Sequence, residues 1–230
     1  MREFLTPSSF FGITLSLVSY IIALTLKKKI RSSLFNPLLI AIIMTAAVVL
    51  LTGVDYESYN SSAKYLSFLL TPATVCLALP LYKQIDRLKK NAIAIFAGIF
   101  AGVVSGMVSI FLLSRLFHFS KAEFVTFLPK SITTAIGLSV SEELGGYVSI
   151  TVAAIVLTGV LGNIICESVL KLFRIEDRIA KGAAIGTASH AIGTSKAMQI
   201  GEIEGAISSL SIVTAGIMTV LLAGIFAGLY

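Results

Sequence analysis

Two polar stretches lie inside otherwise apolar sequence, and their side chains could bind a small anion. The first, PKSITT, starts at Pro129. Proline removes a backbone donor and disfavours helical geometry at the preceding residue, so a helix entering this stretch is predicted to break here. The polar side chains that follow are those of Lys130, Ser131, Thr133 and Thr134. Together with the free N–H groups at the start of the next helix, they would form an anion site. The alternative is a lysine that reaches water while the hydroxyls bond to their own helix.

The second stretch, GTASHAIGTSKA, covers residues 186–197. Gly186 and Gly193 mark places where a helix is weakened or another backbone comes close. The polar side chains of the stretch are those of Thr187, Ser189, His190, Thr194, Ser195 and Lys196. We predict a second half of the anion site here, with His190 or Glu204 carrying a proton, because histidine titrates near neutral pH. The alternative is a buried histidine whose hydrogen bonds are satisfied by the protein.

Neither stretch fits a catalytic or metal site. Ser189 and His190 are adjacent in sequence, which rarely gives the geometry of a nucleophile and its base, and the chain has no G-x-S-x-G or H-E-x-x-H motif. Cys76 and Cys166 lie in apolar runs, where free cysteine behaves as a small hydrophobic residue. We therefore predict no disulfide, no metal, no cofactor and no enzymatic activity.

The composition is that of an integral membrane protein. Of the 230 residues, 56% are hydrophobic and 13% charged, and the mean hydropathy is +0.94. Soluble domains are nearer half apolar and a quarter charged. We predict an all-α, polytopic membrane protein that forms a single domain over residues 1–230. Six runs are predicted to cross as transmembrane helices, namely 10–26, 34–54, 65–82, 92–113, 147–166 and 206–230. Two weaker segments, 122–140 and 179–200, are interrupted by the polar stretches.

Basic residues cluster between the apolar runs, at 27–31, 83–90 and 171–181. This pattern is a topology signal rather than a nucleic-acid-binding surface, because lysine and arginine favour cytoplasmic loops. If all three clusters face the cytoplasm, residues 122–146 must enter and leave the membrane on the same side. Such a re-entrant hairpin is tolerated only where it is buried in protein or lines a watery cavity. The first apolar run precedes its lysines and has no small-residue cleavage site, so we expect a retained helix.

A faint internal repeat occurs at an offset of 57 residues, where Pro72 falls on Pro129 and Gly102 on Gly159. Internal repeats are common in transporters. Interrupted segments in corresponding positions of two copies point to the binding site.

Three glycines of the fourth apolar run, Gly98, Gly102 and Gly106, are spaced by four residues. This spacing places them on one face of a helix, where small residues let another backbone approach closely. The face is predicted to serve helix packing, either within the protein or between copies of a homo-oligomer.

The polar motifs and their surroundings resemble the LrgB/CidB family. The resemblance rests on FNPLL (35–39), LTPATVCLALPLYKQ (70–84), LPKSITTAIGLSVSEELGG (128–146) and RIAKGAAIGTASHAIGTSKAMQIGEIEGAISSL (178–210), and it extends over nearly the whole chain. The family was first described as holin-like and antiholin-like proteins that modulate murein hydrolase activity and autolysis, usually encoded beside a small LrgA/CidA-type membrane partner. Related proteins include the plastidal glycolate/glycerate translocator, in which both parts are fused, and bacterial pairs implicated in pyruvate uptake.

The resemblance implies which positions form the site. They are Pro129, Lys130, Ser131, Thr133, Thr134, Gly186, Thr187, Ser189, His190, Gly193 and Thr194. Two positions depart from the family's pattern. Lys196 stands where the family often has arginine, so the fork that grips a carboxylate at two points is lost. Ala135 stands where a proline is frequent.

On this basis we expect a multi-pass protein of the cytoplasmic membrane that carries a small monocarboxylate, of the pyruvate, glycolate or glycerate class, by alternating access. A separate LrgA/CidA-type partner is expected, because this chain holds the LrgB-like part alone. The alternative is a holin-like or antiholin-like regulator of autolysis, which acts through that partner without a dedicated substrate. Effects on autolysis that arise indirectly from carboxylate flux would reconcile the two.

Overall fold

The structure, a computed structural model, describes residues 10–30 and 36–230. The described residues form helices joined by short turns, with no strand among them, which confirms the predicted all-α class. The chain divides into two compact units, Met1–Cys76 and Leu77–Tyr230. A single domain over residues 1–230 stays a prediction.

The first unit is built from short and medium helices. They are α1 (Phe11–Lys29), α2 (Pro37–Thr52), α3 (Tyr56–Ala63), a 3₁₀ helix (Lys64–Leu69) and the beginning of α4 (Leu70–Lys83). The side chain of Asn36 starts α2 by accepting the N–H of Leu38 at 2.8 Å. Gly53 ends it with a left-handed φ of 65°, which glycine adopts without strain. The Gly12 N–H of α1 donates to Ser62 Oγ of α3 at 2.8 Å.

The second unit contains most of the long helices. They are α5 (Ile85–Lys90), α6 (Ala92–Leu116), α7 (Lys121–Phe127), α8 (Thr134–Glu143), α9 (Val148–Leu172), α10 (Arg178–Ile200) and α11 (Glu202–Leu229). In the described part of the chain, four helices are long and apolar enough to cross a membrane, namely α1, α6, α9 and α11. Helix α2 has 16 residues, and α4 has 14 and contains Pro80. The predicted count of six crossings is not confirmed.

The core of the second unit lies where α6, α7 and α11 meet. Ile99, Phe124 and Ile207 are fully buried. The ring of Phe124 stacks on that of Tyr230, with the centroids 4.4 Å apart. Because α7 leads directly into PKSITT, this packing fixes the position of the first polar stretch.

Helices α7 and α8 form a hairpin around the predicted break at Pro129. Ser120 precedes α7 and caps it, because its side chain accepts the Glu123 N–H. After α8, the Tyr147 N–H donates to Thr126 Oγ1 of α7 at 2.7 Å, although the two residues are 21 positions apart. The chain has therefore turned back on itself, and we call residues 121–147 the first hairpin.

Helix α10 also turns back. It is broken at Ser189 and His190, whose backbone angles are not helical, with φ of 40° at His190. A Cβ on Gly193 would lie 3.1 Å from the carbonyl oxygen of Ile185, whereas eight residues of straight helix span about 12 Å. We call residues 178–200 the second hairpin.

Both ends of the second hairpin lie at the same level of α11. A Cβ on Gly182, near its beginning, would lie 2.6 Å from the Glu204 carbonyl oxygen. Met198, near its end, lies against the next residue of α11, since a Cβ on Gly205 would lie 2.7 Å from Met198 Cγ. The segment 178–200 therefore begins and ends on the same side of the unit.

The elements of the second unit recur at a regular spacing. Helix α9 begins 56 residues after α6 begins, and it ends 56 residues after α6 ends. The second hairpin begins 57 residues after the first residue of α7 and ends 57 residues after the last residue of α8. His118 and Arg174, which follow α6 and α9, have left-handed φ values of 55° and 53°. In each case the next N–H bonds to a carbonyl five residues back, which is the usual closure of a helix that ends in a left-handed residue.

Candidate functional site

The second unit contains a cavity of about 700 Å³. Its walls are the glycine face of α6, the tip of the first hairpin, the first half of the second hairpin and part of α11. Ligand sites of this size have mainly apolar walls and a few polar groups that orient the ligand. The predicted motifs contribute such groups through Lys130, Ser131 and Thr187. The fold thus brings together residues that are more than fifty positions apart in sequence.

Lys130 supplies positive charge to this cavity from the tip of the first hairpin. The residue is half-buried, and its Nζ donates to Ser131 Oγ at 2.9 Å. Within the described residues Lys130 makes no ion pair. A half-buried ammonium without a carboxylate partner favours an anionic ligand, because an unpaired charge that is withdrawn from water is costly.

Thr187 supplies a free hydroxyl on the second hairpin. Its side chain is 7% exposed, and in the described part of the chain its Oγ1 has no hydrogen-bond partner. The methyl group faces α6, since a Cβ on Gly102 would lie 2.9 Å from Thr187 Cγ2. Buried hydroxyls are nearly always bonded, so an unpartnered one in a cavity wall suits a ligand.

The glycine face of α6 borders the cavity. A Cβ placed on Gly98 or Gly106 would have no atom of the described residues within 4 Å. Gly102 differs, because Thr187 packs directly against it. Packing of the whole face against another helix, in this chain or in another copy, stays a prediction.

Three predicted site residues of the first motif, Pro129, Thr133 and Thr134, do not line the cavity. Pro129 is buried at the tip, where its carbonyl accepts the Ile132 N–H at 3.3 Å. Thr133 precedes α8, and its side chain makes no capping bond. Thr134 is the first residue of α8 and is half-buried. Their predicted role in binding stays a prediction.

His190 is buried at the tip of the second hairpin and does not line the cavity. Its Nε2 lies 3.0 Å from the carbonyl oxygen of Ile155 in α9. Since a carbonyl can only accept, Nε2 carries the proton in this contact. Thr194 Oγ1 donates to the His190 carbonyl at 3.0 Å. This geometry fits the alternative of a buried, hydrogen-bonded histidine, and proton coupling at His190 stays a prediction.

The other residues of the second motif hold the hairpin together. Gly186 lies against α11, since a Cβ there would lie 2.8 Å from Ser208 Cα. Thr194 Oγ1 is 2.7 Å from Ser208 Oγ. A Cβ on Gly193 would lie 2.5 Å from Ser189 Cβ, so these two residues close the bend. All four motif residues are buried.

Lys196 is engaged in an ion pair away from the cavity. Its Nζ lies 2.5 Å from Glu167 Oε1 of α9. Beside it, Asn163 Nδ2 donates to the Ile192 carbonyl at 2.8 Å. These contacts fasten the second half of the second hairpin to α9.

Glu204 is a buried carboxylate in the first turn of α11, 5% exposed. Its Oε1 is 4.0 Å from Arg178 Nε, and its Oε2 has no hydrogen-bond partner among the described residues. The start of a helix favours negative charge. Proton coupling at Glu204 stays a prediction.

Comparison with known proteins decides the family. The sequence model of the LrgB-like family matches residues 16–229. The "Antiholin-like protein LrgB" of Bacillus subtilis (strain 168) is 37% identical over 225 residues, which cover 97% of each chain. The protein of the same name from Bacillus cereus (strain B4264) is 36% identical over 227 residues, or 98% of each chain. No solved structure matches.

The chain belongs to the LrgB family. The resemblance found in the sequence is thereby confirmed. With four apolar helices long enough to cross a bilayer in its described part, this LrgB-family chain is a multi-pass membrane protein. The names of its relatives support the antiholin-like alternative better than the carrier.

The structure adds polar residues to the cavity wall that the motifs did not reveal. Ser105, Ser109 and Asp177 line the cavity. The two serines follow Gly102 and Gly106 by three residues each, so their spacing places them beside the glycine face, and this signal was present in the sequence. Asp177 accepts the Ala180 N–H at 2.8 Å and caps α10. The described residues contain no group of three or more His, Cys, Asp or Glu that could hold a metal ion.

Proposed function

We propose that this chain is an antiholin-like regulator of murein hydrolase activity and autolysis in the cytoplasmic membrane. It acts through a small LrgA/CidA-type membrane partner and carries out no catalysis of its own. The observation that carries this proposal is the similarity, over nearly the full length, to proteins named antiholin-like protein LrgB.

Deletion of the gene in its host and complementation test this role. An antiholin-like protein restrains lysis, so cells without it should lyse faster in detergent-containing buffer. Wild-type protein and Lys130→Ala should both restore slow lysis, because the regulator needs no dedicated substrate. A Gly98→Leu/Gly106→Leu variant should fail, since it would alter the face offered to a partner or to a second copy. Lysis rates that do not depend on the chain would contradict the proposal.

A second candidate is a carrier for a small monocarboxylate of the pyruvate, glycolate or glycerate class. The observation that favours it is the cavity, where the tip of the first hairpin and the residues just before the tip of the second meet. In this proposal Lys130 and the hydroxyls of Ser131 and Thr187 bind the carboxylate. His190 or Glu204 binds a coupled proton.

The topology supports alternating access. In this proposal α1, α2, α4, α6, α9 and α11 cross the membrane, and the two hairpins are re-entrant. Helix α6 and the first hairpin would then form one copy, and α9 and the second hairpin would form the other. The two copies would have inverted orientations, because one complete crossing, α6, separates the start of the first copy from the start of the second. The spacing of 56 or 57 residues between their bounds supports this repeat. Inverted repeats that enclose a site between broken helices are typical of secondary transporters.

Uptake of labelled pyruvate and glycolate into proteoliposomes tests the carrier, with and without an LrgA/CidA-type partner and a pH gradient. Loss of one charge-assisted hydrogen bond weakens binding by about tenfold to a hundredfold. We therefore expect Lys130→Ala to raise KM by about that factor, and the matched control Lys121→Ala, outside the cavity, to have no effect. A dependence on the pH gradient that disappears in His190→Ala or Glu204→Gln would identify the proton site.

The two candidates give different results in the same preparation. Saturable, competable uptake that Lys130→Ala weakens supports the carrier. Uptake that does not saturate, or its absence even with the partner, rules out the carrier and leaves the regulator. If uptake is saturable and the variants that weaken it also change the lysis rate, carboxylate flux causes the effect on autolysis.

A further inference from the structure

A second pocket, of about 470 Å³, lies at the base of the second hairpin. It is formed by the end of α9, the loop that follows it, and both ends of the second hairpin. Three basic residues line it, Lys171, Arg174 and Lys181. They belong to the third basic cluster of the sequence. The fold thus gathers charges from two helices and a loop around one pocket.

The positive charge of this pocket is only partly balanced within the described residues. Lys171, Arg174 and Lys181 make no ion pair there. Of the two carboxylates in the wall, Glu167 is paired with Lys196 at 2.5 Å, and Glu176 pairs with none of the three. A convergent set of unpaired cations favours an anion, and arginine and lysine are the side chains that bind phosphate best.

Arg174 stands where glycine is usual. It follows α9 with a φ of 53°, the left-handed conformation that commonly ends a helix and is strained for other residues. The bend is closed by the Ile175 N–H, which donates to the Leu170 carbonyl at 2.9 Å. A strained residue that the surrounding structure maintains is a reason to look for function. Here the strained residue is one of those that line the pocket.

The pocket lies where lipid headgroups are expected. It is at the end of a helix long enough to cross a bilayer, and basic clusters at such ends favour the cytoplasmic surface. Leu172 and Phe173 beside it are 76% and 69% exposed, which suits contact with acyl chains. Anionic phospholipids attract basic residues at this surface, and basic pockets between transmembrane helices bind their headgroups.

We propose that the pocket of Lys171, Arg174 and Lys181 binds the phosphate of an anionic phospholipid. Because Lys181 and Gln199 come from opposite ends of the second hairpin, a bound headgroup would hold the base of the hairpin against α9. The proposal is independent of both candidate functions, since it concerns neither the cavity nor a partner protein.

The test compares lipids on the full-length chain purified in detergent. Phosphatidylglycerol is expected to remain bound in native mass spectrometry and to raise the melting temperature by about 5 °C at saturating concentration. Phosphatidylcholine should do neither. The triple variant Lys171→Gln/Arg174→Gly/Lys181→Gln should lose the preference for phosphatidylglycerol. Glycine suits the left-handed backbone at position 174, so this change removes charge without disturbing the bend.

Two control variants distinguish a specific lipid site in the pocket from a general attraction of basic residues to anionic lipid. Lys83→Gln/Lys89→Gln/Lys90→Gln removes the same number of charges from another basic cluster and should keep the preference. His118→Gly makes the same backbone change after α6 and should keep it as well. An undiminished preference in the pocket variant, or an equal loss in the Lys83/Lys89/Lys90 variant, would overturn the proposal. The proposal would also be overturned if glycerol 1-phosphate stabilised the protein as well as phosphatidylglycerol does. The ligand of the pocket would then be a soluble phosphate compound and not a lipid headgroup.

Discussion

At the scale of single residues, Thr187 combines burial with an unused hydrogen-bonding group. Its Oγ1 has no partner in the described part of the chain, and a buried polar group left unbonded costs about 1–3 kcal/mol of folding free energy. Valine has nearly the same shape without the hydroxyl. The position therefore separates a contribution to stability from a contribution to binding.

We expect Thr187→Val to keep or raise the free energy of unfolding, by up to about 1 kcal/mol, because no protein hydrogen bond is lost. If the carrier function holds, the same variant should raise the KM for uptake. Denaturant unfolding in detergent and the uptake assay measure the two effects. Thr187→Ser is the control that keeps the hydroxyl. A loss of more than about 1 kcal/mol in Thr187→Val would show that the hydroxyl is bonded within the protein.

Gly102 and Gly98 give a matched pair on α6. Alanine at Gly102 would bring its Cβ to 2.9 Å from Thr187 Cγ2, and such overpacking costs about 1–3 kcal/mol. Alanine at Gly98 meets no atom of the described residues within 4 Å, so it should gain up to about 1 kcal/mol from helix propensity. Melting temperatures should therefore fall for Gly102→Ala and hold or rise for Gly98→Ala. A loss in both would mean that the whole face is packed.

The sequence pattern indicated part of the cavity wall. Lys130, Ser131 and Thr187 were predicted from polar residues in apolar surroundings, and the structure brings them to one cavity. Which side chains of a motif face a ligand depends on the bend of the chain, so Thr133 and His190 could not be placed from spacing. The sequence did not indicate Glu167 as the partner of Lys196, because no sequence pattern links α9 to the second half of the second hairpin.

At the scale of elements, the two hairpins differ in how far sequence predicts them. Pro129 marks the first, because proline cannot continue a helix that requires its N–H. The second has no proline between residues 178 and 200. Its bend is held by contacts with α11, at Ser208 for both halves. Glycine and hydroxyl residues predicted an interruption there, while the reversal of direction arises from tertiary packing.

The ion pair between Glu167 and Lys196 should contribute little to the stability of the second hairpin. The side chains are 44% and 25% exposed, and partly exposed pairs contribute about 0.2–1 kcal/mol. A double-mutant cycle of Glu167→Gln and Lys196→Gln, measured by denaturant unfolding, should give a coupling energy in this range. The coupling should shrink at high salt because exposed charges are screened. A larger, salt-independent coupling would show that the pair is buried in the folded protein.

At the scale of the whole molecule, hydropathy predicted which runs are apolar but not which of them form one helix long enough to cross a membrane. An average over a run does not report whether its helix is continuous. The run at 34–54 contains a helix of 16 residues, and the run at 65–82 divides into a 3₁₀ helix and α4. The runs that became α6, α9 and α11 lack proline and form helices of 25 to 28 residues.

The orientation of the second unit can be decided by labelling single cysteines in a Cys76→Ser/Cys166→Ser background. If both hairpins are re-entrant, Lys121→Cys and Ser149→Cys should react with an impermeant maleimide from one side of the membrane. Glu176→Cys and Glu202→Cys should react from the other, because one complete crossing, α9, lies between the pairs. These four side chains are exposed in the structure.

The labelling of Glu176→Cys and Glu202→Cys, which flank the second hairpin, decides whether residues 178–200 are re-entrant or cross the membrane. The ends of this hairpin lie at neighbouring residues of α11, so Glu176→Cys and Glu202→Cys should be labelled together, in inverted vesicles or in intact cells but not in both. Labelling of the two from opposite sides would mean that residues 178–200 cross the membrane. The inverted repeat would then be lost, and with it the topological support for the carrier. The cavity with Lys130 and Thr187 would remain as a site of the second unit, to be tested by binding alone.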